Sequence, residues 1–589
     1  MRRDPGFIGN PDGLAVVPDI SYVMSPVWSL KSVEGFEGGP ESVEAAIDAL
    51  LSLRGIATAE ERASFLEPDY DRDLHDPFLF SSMERVMERF REARNKGERV
   101  GLFGDFDADG ITSTVLLHEA LSKLGIPVSV YLPDKHVEGH GLSAAALDIF
   151  ERDGATLVVT VDCGMTDHEP IADARQRGMD VIVIDHHHVP PVLPDAYAFV
   201  NPRLPGESYP FKELCGAGIS FKVLQAVYMT FFPDEREQLK WFLDVAAVGT
   251  VADVMPLIGE NRTIVTYGLV VLSKSKRHGF REMISRGRMR SSGGKAPVAR
   301  DISFQIAPRL NAASRMAHAK AAHDLLIEPD ADRAKELAEI LESYNADRQK
   351  VSAEIAKSVQ KIAVSRPERR FVFAAHEDFH FGVVGLVAGK IANEFRKPTI
   401  VLTKGPEMSR GSLRSIPELN IIEVIEACGD LLERFGGHAQ AAGLTVRNEN
   451  LDALEERLER LAEERMTGER LEPETVVDMR LPQSLLTLDF ARKVKRLAPF
   501  GEGNPEPIFL FEGARVEEVR PVGSDGKHLK LALSVPGGRV YDAIGFSLAE
   551  KIPGLVSGDM LDILFQLDEN EWNGSVNLQL KLLDLRPSA

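Results

Sequence analysis

Arg99-Val-Gly-Leu-Phe-Gly104 runs directly into Asp105-Phe-Asp-Ala-Asp-Gly110, an apolar stretch that ends in three carboxylates within five residues. Carboxylates this close raise one another's pKa and destabilise a fold unless a cation neutralises them. A solvated acidic turn could carry the same letters, but it would not explain why the pattern recurs. Leu157-Val-Val-Thr-Val161 ends in Asp162, Val181-Ile-Val-Ile184 ends in Asp185-His186-His187-His188, and an apolar stretch through Val245 and Val248 leads to Asp253. Divalent metal ions held by carboxylates and one or two imidazoles account for all four placements.

The segments around these runs set the fold class. β-branched runs at Val100–Phe103, Val128–Leu132, Leu157–Val161 and Val181–Ile184 alternate with amphipathic stretches at 112–124, 143–152 and 169–177. That alternation predicts a parallel sheet covered by helices on both faces. Ligands of such sheets bind beyond the carboxyl ends of the strands, which is where Asp105, Asp107, Asp109, Asp162, Asp185 and His186 all fall.

Further along, Leu337, Ile340, Leu341, Tyr344, Val351, Ile355, Val359 and Ile362 keep the spacing of one helix face and predict a long linker helix over 330–363. A second α/β unit starts at Arg370-Phe-Val-Phe-Ala374, continues through Thr399-Ile-Val-Leu402 and closes on Phe435-Gly-Gly-His-Ala-Gln-Ala-Ala-Gly443. Beyond about 470, short alternating strands at 514–520, 528–535, 539–545, 560–567 and 575–583 are separated by turn signals such as Ser524-Asp-Gly526 and Asn573-Gly574. This predicts a small antiparallel barrel. The expected architecture is α/β and multidomain: a disordered extension over 1–40, a helical extension over 41–98 with helices near 42–54 and 81–96, a parallel-sheet domain over 99–329, the linker helix, a second α/β domain over 364–468 and a barrel over 469–589.

Composition narrows the class. At 589 residues the chain needs several cores, and its 44% hydrophobic and 27% charged residues are those of a globular protein. Nowhere does it offer the roughly 20 unbroken apolar residues of a membrane span, and Met1-Arg-Arg-Asp-Pro-Gly lacks the apolar core of a signal peptide. Cys163, Cys215 and Cys428 are too few and scattered for a disulfide framework. A cytoplasmic protein without membrane partners is expected. The net charge of −21 argues against a general nucleic-acid coat, but nine Lys/Arg against one acid between Lys274 and Arg300 form a candidate phosphate-contact segment.

Gly104-Asp-Phe-Asp-Ala-Asp-Gly110, Asp162, Asp185-His186-His187, Gly249-Thr-Val-Ala-Asp-Val-Met-Pro256 and Gly436-Gly-His438 together resemble, in order, the motifs of DHH-type phosphoesterases. Ala307-Pro-Arg-Leu-Asn-Ala-Ala313, Arg410-Gly-Ser-Leu-Arg-Ser415 and the barrel-like tail make the chain similar to the RecJ branch, single-strand-specific 5′→3′ DNA exonucleases with a DHH domain, a DHH-associated domain and an OB-fold. The resemblance implies metal ligation by Asp107, Asp109, Asp162, His186 and Asp253, with Asp109 or Asp162 bridging two ions, Mn²⁺ or Mg²⁺. Asp105 stands where many DHH phosphodiesterases have a histidine ligand, and is assigned with Asp185 and His187 to catalytic support. Substrate phosphates would meet Lys135, Arg309, Asn311, Arg315, Ser412, Arg414 and His438. Lys135 replaces an arginine of similar proteins, keeping the charge but losing the fork. The implied partners are single-stranded DNA, a helicase and a single-strand-binding protein. A competing expectation is a DHH phosphodiesterase acting on short oligoribonucleotides or cyclic dinucleotides; the long linker helix and the barrel weigh against it.

Overall fold

The computed structural model describes residues 27–31, 40–135, 137–287, 296–466, 474–523, 526–572 and 574–588. Most of the 1–40 extension, the basic residues Arg288, Arg290 and Lys295, and the turn residues Ser524, Asp525 and Asn573 lie outside the described residues. No helix among the described residues is long and apolar enough to cross a membrane.

The expected parallel sheet forms from β1 (Arg99–Gly104), β2 (Val128–Tyr131), β3 (Ala155–Val161), β4 (Asp180–Ile184) and β5 (Ala198–Val200), in the order β2-β1-β3-β4-β5 with every pairing parallel. The fifth strand was not expected: Ala198-Phe-Val200 is too short to give a periodic signal, and its pairing with Ile182–Ile184 creates it. Helix α1 (Ala108–Lys123) follows β1 directly, and α2 (Gly216–Phe231) and α3 (Leu243–Ala252) pack on it. All three are buried along most of their length.

Helix α4 (Ala307–Met316) leads by way of the short helix Lys320–Ile327 to α5 (Ala331–Ser365), the linker helix, capped by Asp330. The second sheet holds β6 (Val372–His376), β7 (Thr399–Lys404), β8 (Met408–Arg414), β9 (Leu432–His438) and β10 (Ala441–Arg447), in the order β9-β10-β8-β7-β6. Helix α6 (Phe381–Phe395) connects the parallel pair β6 and β7 and lies against β8. The C-terminal strands are β11 (Phe509–Val522), β12 (His528–Ser534), β13 (Val540–Gly545), β14 (Met560–Trp572) and β15 (Ser575–Pro587). Strand β14 pairs with both β15 and β11, the strand set of a small barrel.

The chain divides into two compact units whose limits differ from the expected ones. One gathers described residues up to Leu53 with those of 468–491 and 507–589; the other holds 54–467 and 492–506. Val27–Leu30, expected to be disordered, form a strand parallel to Glu474–Val477, and Trp28 Nε1 donates to Asp584 at 2.9 Å. By compactness, residues 492–506 group with the larger unit that holds the parallel sheet. The buried Arg262 guanidinium donates to the carbonyls of Leu497 at 2.9 Å and Ala498 at 2.7 Å, and Leu257 N to that of Glu502 at 2.8 Å.

Candidate active site

Three of the acidic residues extend the ladders of neighbouring strands by one bond each. Asp105 N donates to Val161 O at 3.3 Å, Asp162 N to Ile184 O at 2.9 Å and Asp185 N to Val200 O at 3.1 Å, which lines the three up along the carboxyl edge of the sheet. Asp107 caps α1, its Oδ1 accepting from Asp109 N at 2.9 Å and Gly110 N at 3.1 Å. Both Asp109 oxygens accept backbone N–H groups from the start of α2, Gly216 at 2.7 Å and Ala217 at 2.9 Å. A helix N-terminus favours a carboxylate there. Asp253 follows the last residue of α3.

These elements converge on one imidazole. His186 Nε2 lies 3.2 Å from Asp162 Oδ1, 3.6 Å from Asp253 Oδ2 and 3.9 Å from Asp109 Oδ2. Three ligand groups have their donor atoms within 4.8 Å of one another: Asp109 with His186 and Asp253, Asp105 with Asp107 and Asp162, and Asp162 with His186 and His187. Asp162 and His186 are each common to two of them. The φ of Asp162, 61°, is left-handed, as is the 57° of Val254 beside Asp253. For a β-branched residue such a conformation costs about 1–3 kcal/mol and persists where surrounding packing imposes it, often at a functional site. Close approach also requires two glycines: a Cβ on Gly216 would lie 2.8 Å from Asp162 Cβ, and one on Gly249 2.8 Å from Asp109 Oδ1.

The charges are out of balance without a cation. Burial, then Asp109, Asp107 and Asp105, hold Asp162 well above the usual carboxylate range. Burial and Asp109 push Asp253 up to about 8, and burial raises Asp105 and Asp109. Asp185 is the exception: burial opposes its charge, but the hydrogen bond from His187 Nδ1 at 2.7 Å brings it below the usual value and pushes His187 up to about 9. Burial lowers His186, so its ring is neutral with a lone pair to give. Asp105 Oδ1 and Asp162 Oδ1 are buried and accept no hydrogen bond from the described residues. Buried acceptors with no donor, facing further carboxylates and a neutral imidazole, fit hard or borderline divalent ions.

A cationic group stands beside this centre. Burial, Arg315 and Arg414 push Lys135 down to about 8, while Asp107 and Asp105 pull the other way, which places Lys135 between acids and guanidinia. Arg315 donates to Gly382 O at 3.0 Å at the start of α6. Ser412 Oγ and Arg414 Nη2 approach the same helix at Gly385, 3.1 and 3.4 Å from where a Cβ would stand. His438 is exposed and pairs with Ala441, which on its other side pairs with Arg414, so the two share one row across the sheet.

Two of the expected substrate residues also bond within the protein. Arg309 forks onto Glu342 of α5, at 2.6 Å through Nε and 3.2 Å through Nη2. Asn311 Oδ1 accepts from Ala108 N at 2.8 Å, helping to cap α1. The basic segment is likewise partly spent: Arg277 pairs with Glu119 and Asp244, and Arg286 with Glu339.

The DHH family, N-terminal domain, matches residues 99–250, the DHHA1 domain 349–464 and the RecJ OB domain 477–584. The single-stranded-DNA-specific exonuclease RecJ of Bacillus subtilis is 36% identical over 543 residues, 91% of this chain and 67% of that protein. That of Escherichia coli K12 is 32% identical over 571 residues, 93% of this chain and 97% of that protein. The chain belongs to the RecJ family. The crystal structure of RecJ from Thermus thermophilus with Mn²⁺ superposes with a TM-score of 0.77 at 30% identity, covering 96% of this chain and 80% of that one.

Two residues of this RecJ-family site escaped the sequence reading. His140 Nδ1 lies 3.2 Å from Asp105 Oδ2; its only sequence signal is the pair of glycines around it. Arg348, on α5, donates to Asn345 at 2.9 Å, leaves a buried Nε without an acceptor and lies close enough to Arg315 to lower its pKa. Nothing marks it out in a helix rich in charges.

Proposed function

We propose that this RecJ-family chain hydrolyses single-stranded DNA from the 5′ end to 5′-mononucleotides, in DNA repair and recombination. The observation that carries the reading is the set of three carboxylates within 4 Å of His186 Nε2, beside the cationic group of Lys135, Arg315 and Arg414. Asp107, Asp109, Asp162, His186 and Asp253 would hold two Mn²⁺ or Mg²⁺ ions. Bound there, divalent ions would supply charge neutralisation for the phosphodiester and activation of the attacking water.

The chain's own groups then have separable tasks. Asp109 is fixed by two backbone N–H groups, and Asp185 fixes the ring of His187, which carries a proton at neutral pH. Attack on the first phosphodiester breaks its P–O3′ bond. The departing 3′ oxygen takes a proton, which His187 would give, and the remaining strand starts with a new 5′-phosphate. Ser412, Arg414, Arg315 and Lys135 would hold that terminal phosphate, because guanidinia fork onto phosphate oxygens, and His438 would contact the backbone. Arg309 and Asn311 support the site through α5 and α1.

A site that grips one backbone requires unpaired DNA, so a helicase that exposes the strand and a single-strand-binding protein that coats it are the proposed partners. The cytoplasm is the proposed location, in keeping with three buried free cysteines. The test is digestion of 5′-phosphorylated single-stranded DNA, RNA and duplex with Mn²⁺ and the pure protein. Deoxymononucleotides released from the 5′ end are expected. Digestion from a free 3′ end with the 5′ end blocked would overturn the polarity, and hydrolysis of short RNA or cyclic dinucleotides alone would overturn the substrate.

A further inference from the structure

We propose that His140 is a positioning residue of the metal centre, holding the Asp105 carboxylate so that its second oxygen turns to the group it forms with Asp107 and Asp162. The inference rests on the reading of that centre given above. An ionised carboxylate can only accept, so the 3.2 Å contact with Asp105 Oδ2 assigns the donating N–H to His140 Nδ1. Among the described residues no other side chain donates to Asp105. The carboxylate is buried, and its Oδ1 accepts nothing. The ring of His140 is 72% exposed, and an ion pair between two such exposed groups would contribute little. Here one partner is buried and belongs to a ligand group, so the contact, together with the backbone N–H of Phe106, orients the carboxylate, and His140 is the side chain that does so.

The loop is built to keep the ring in place. His140 packs on the buried Phe106, with ring centres 4.4 Å apart. Gly139 and Gly141 have φ of 80° and 91°, a conformation that side chains other than glycine resist. Beyond them Leu142 N donates to Asp167 Oδ2 at 2.6 Å, and a Cβ on Gly141 would lie 2.6 Å from Asp167 Oδ1. The loop is thus tied to the chain just beyond Asp162, and His140 cannot move without that support moving too. Groups that orient a metal ligand from outside typically change metal affinity by about 10–100-fold when removed.

The experiment titrates Mn²⁺ into the free protein and follows it by electron paramagnetic resonance, for wild type, His140→Phe and His140→Asn. Phe keeps the ring on Phe106 and removes the donor; Asn returns an N–H near the Nδ1 position. We expect two ions in wild type, about tenfold weaker binding of one of them in His140→Phe, and affinity within about threefold of wild type in His140→Asn. Raising Mn²⁺ should restore hydrolysis by His140→Phe, and in an Asp105→Ala background the Phe substitution should have no further effect. Unchanged affinity in His140→Phe, equal losses in both variants, or losses that multiply with Asp105→Ala would each overturn the role of His140. A wild type that binds fewer than two ions would overturn the metal centre itself, and the proposal with it.

Discussion

Asp109 and Asp162 carry the same charge at the same centre, yet their surroundings make them opposite cases for stability. Asp162 Oδ1 is buried without a donor amid like charges, so Asp162→Asn, which also tolerates the left-handed φ, should raise the melting temperature of the metal-free protein. Asp109→Ala strands the N–H groups of Gly216 and Ala217, at about 1–3 kcal/mol each, and should lower it. Both should lose about 100-fold or more in hydrolysis; thermal melts with chelator separate them, and equal shifts would contradict the argument. Lys135 gives a pH prediction. Its pKa near 8 in the free protein rises when a phosphate arrives, so binding takes up a proton and weakens as pH climbs through about 8. In Lys135→Arg that rise in KM should vanish, as pH profiles of both enzymes would register. The acids could be read from the sequence because a charge at the end of a buried strand is anomalous wherever the strand goes. His140 and Arg348 could not, since a histidine between glycines and an arginine in a charged helix are ordinary until the fold brings them to Asp105 and Arg315.

The elements differ in how far local sequence determines them. Linker helix α5 was legible because 35 residues of 3.6-fold periodicity leave no competing pattern. Its task was not: Glu342 pairs with Arg309, and that pairing crosses from α4 to α5. Arg309→Ala should therefore lower the melting temperature while changing KM for single-stranded DNA by less than about threefold, whereas Arg315→Ala, removing charged hydrogen bonds, should raise KM about tenfold or more. Steady-state kinetics beside thermal melts decide between them. The strands Val27–Leu30 and Ala198–Val200 were missed for one reason: three or four residues carry no periodicity, and only the partner strand makes them elements.

At the scale of the whole molecule, the division into a catalytic unit and a barrel does not follow the order of the chain, because 492–506 leave the barrel unit to join the catalytic one. Sequence pattern could not foresee this, since the tie is made by backbone carbonyls that any residue supplies. Arg262 is the group that depends on it: buried, packed 3.7 Å over Phe65, with acceptors at Phe65, Arg496, Leu497 and Ala498 and, among the described residues, no carboxylate partner, so that burial pushes it down to about 9. Two truncations should then behave differently. Ending the chain after Glu506 removes the barrel strands and keeps these acceptors; hydrolysis should persist, while affinity for single-stranded DNA falls and the slope of log K against log salt drops by about 0.7 for every phosphate that the barrel neutralises in the full chain. Ending it after 468 also strips Arg262 of three of its carbonyls, those of Arg496, Leu497 and Ala498, and an uncompensated buried charge costs about 3–5 kcal/mol. That shorter protein should melt lower and lose activity, and Arg262→Met, which removes the charge along with the need for acceptors, should recover part of the lost melting temperature in the shorter protein. Equal melting temperatures for the two truncations would mean that the 492–506 segment does not support the catalytic unit.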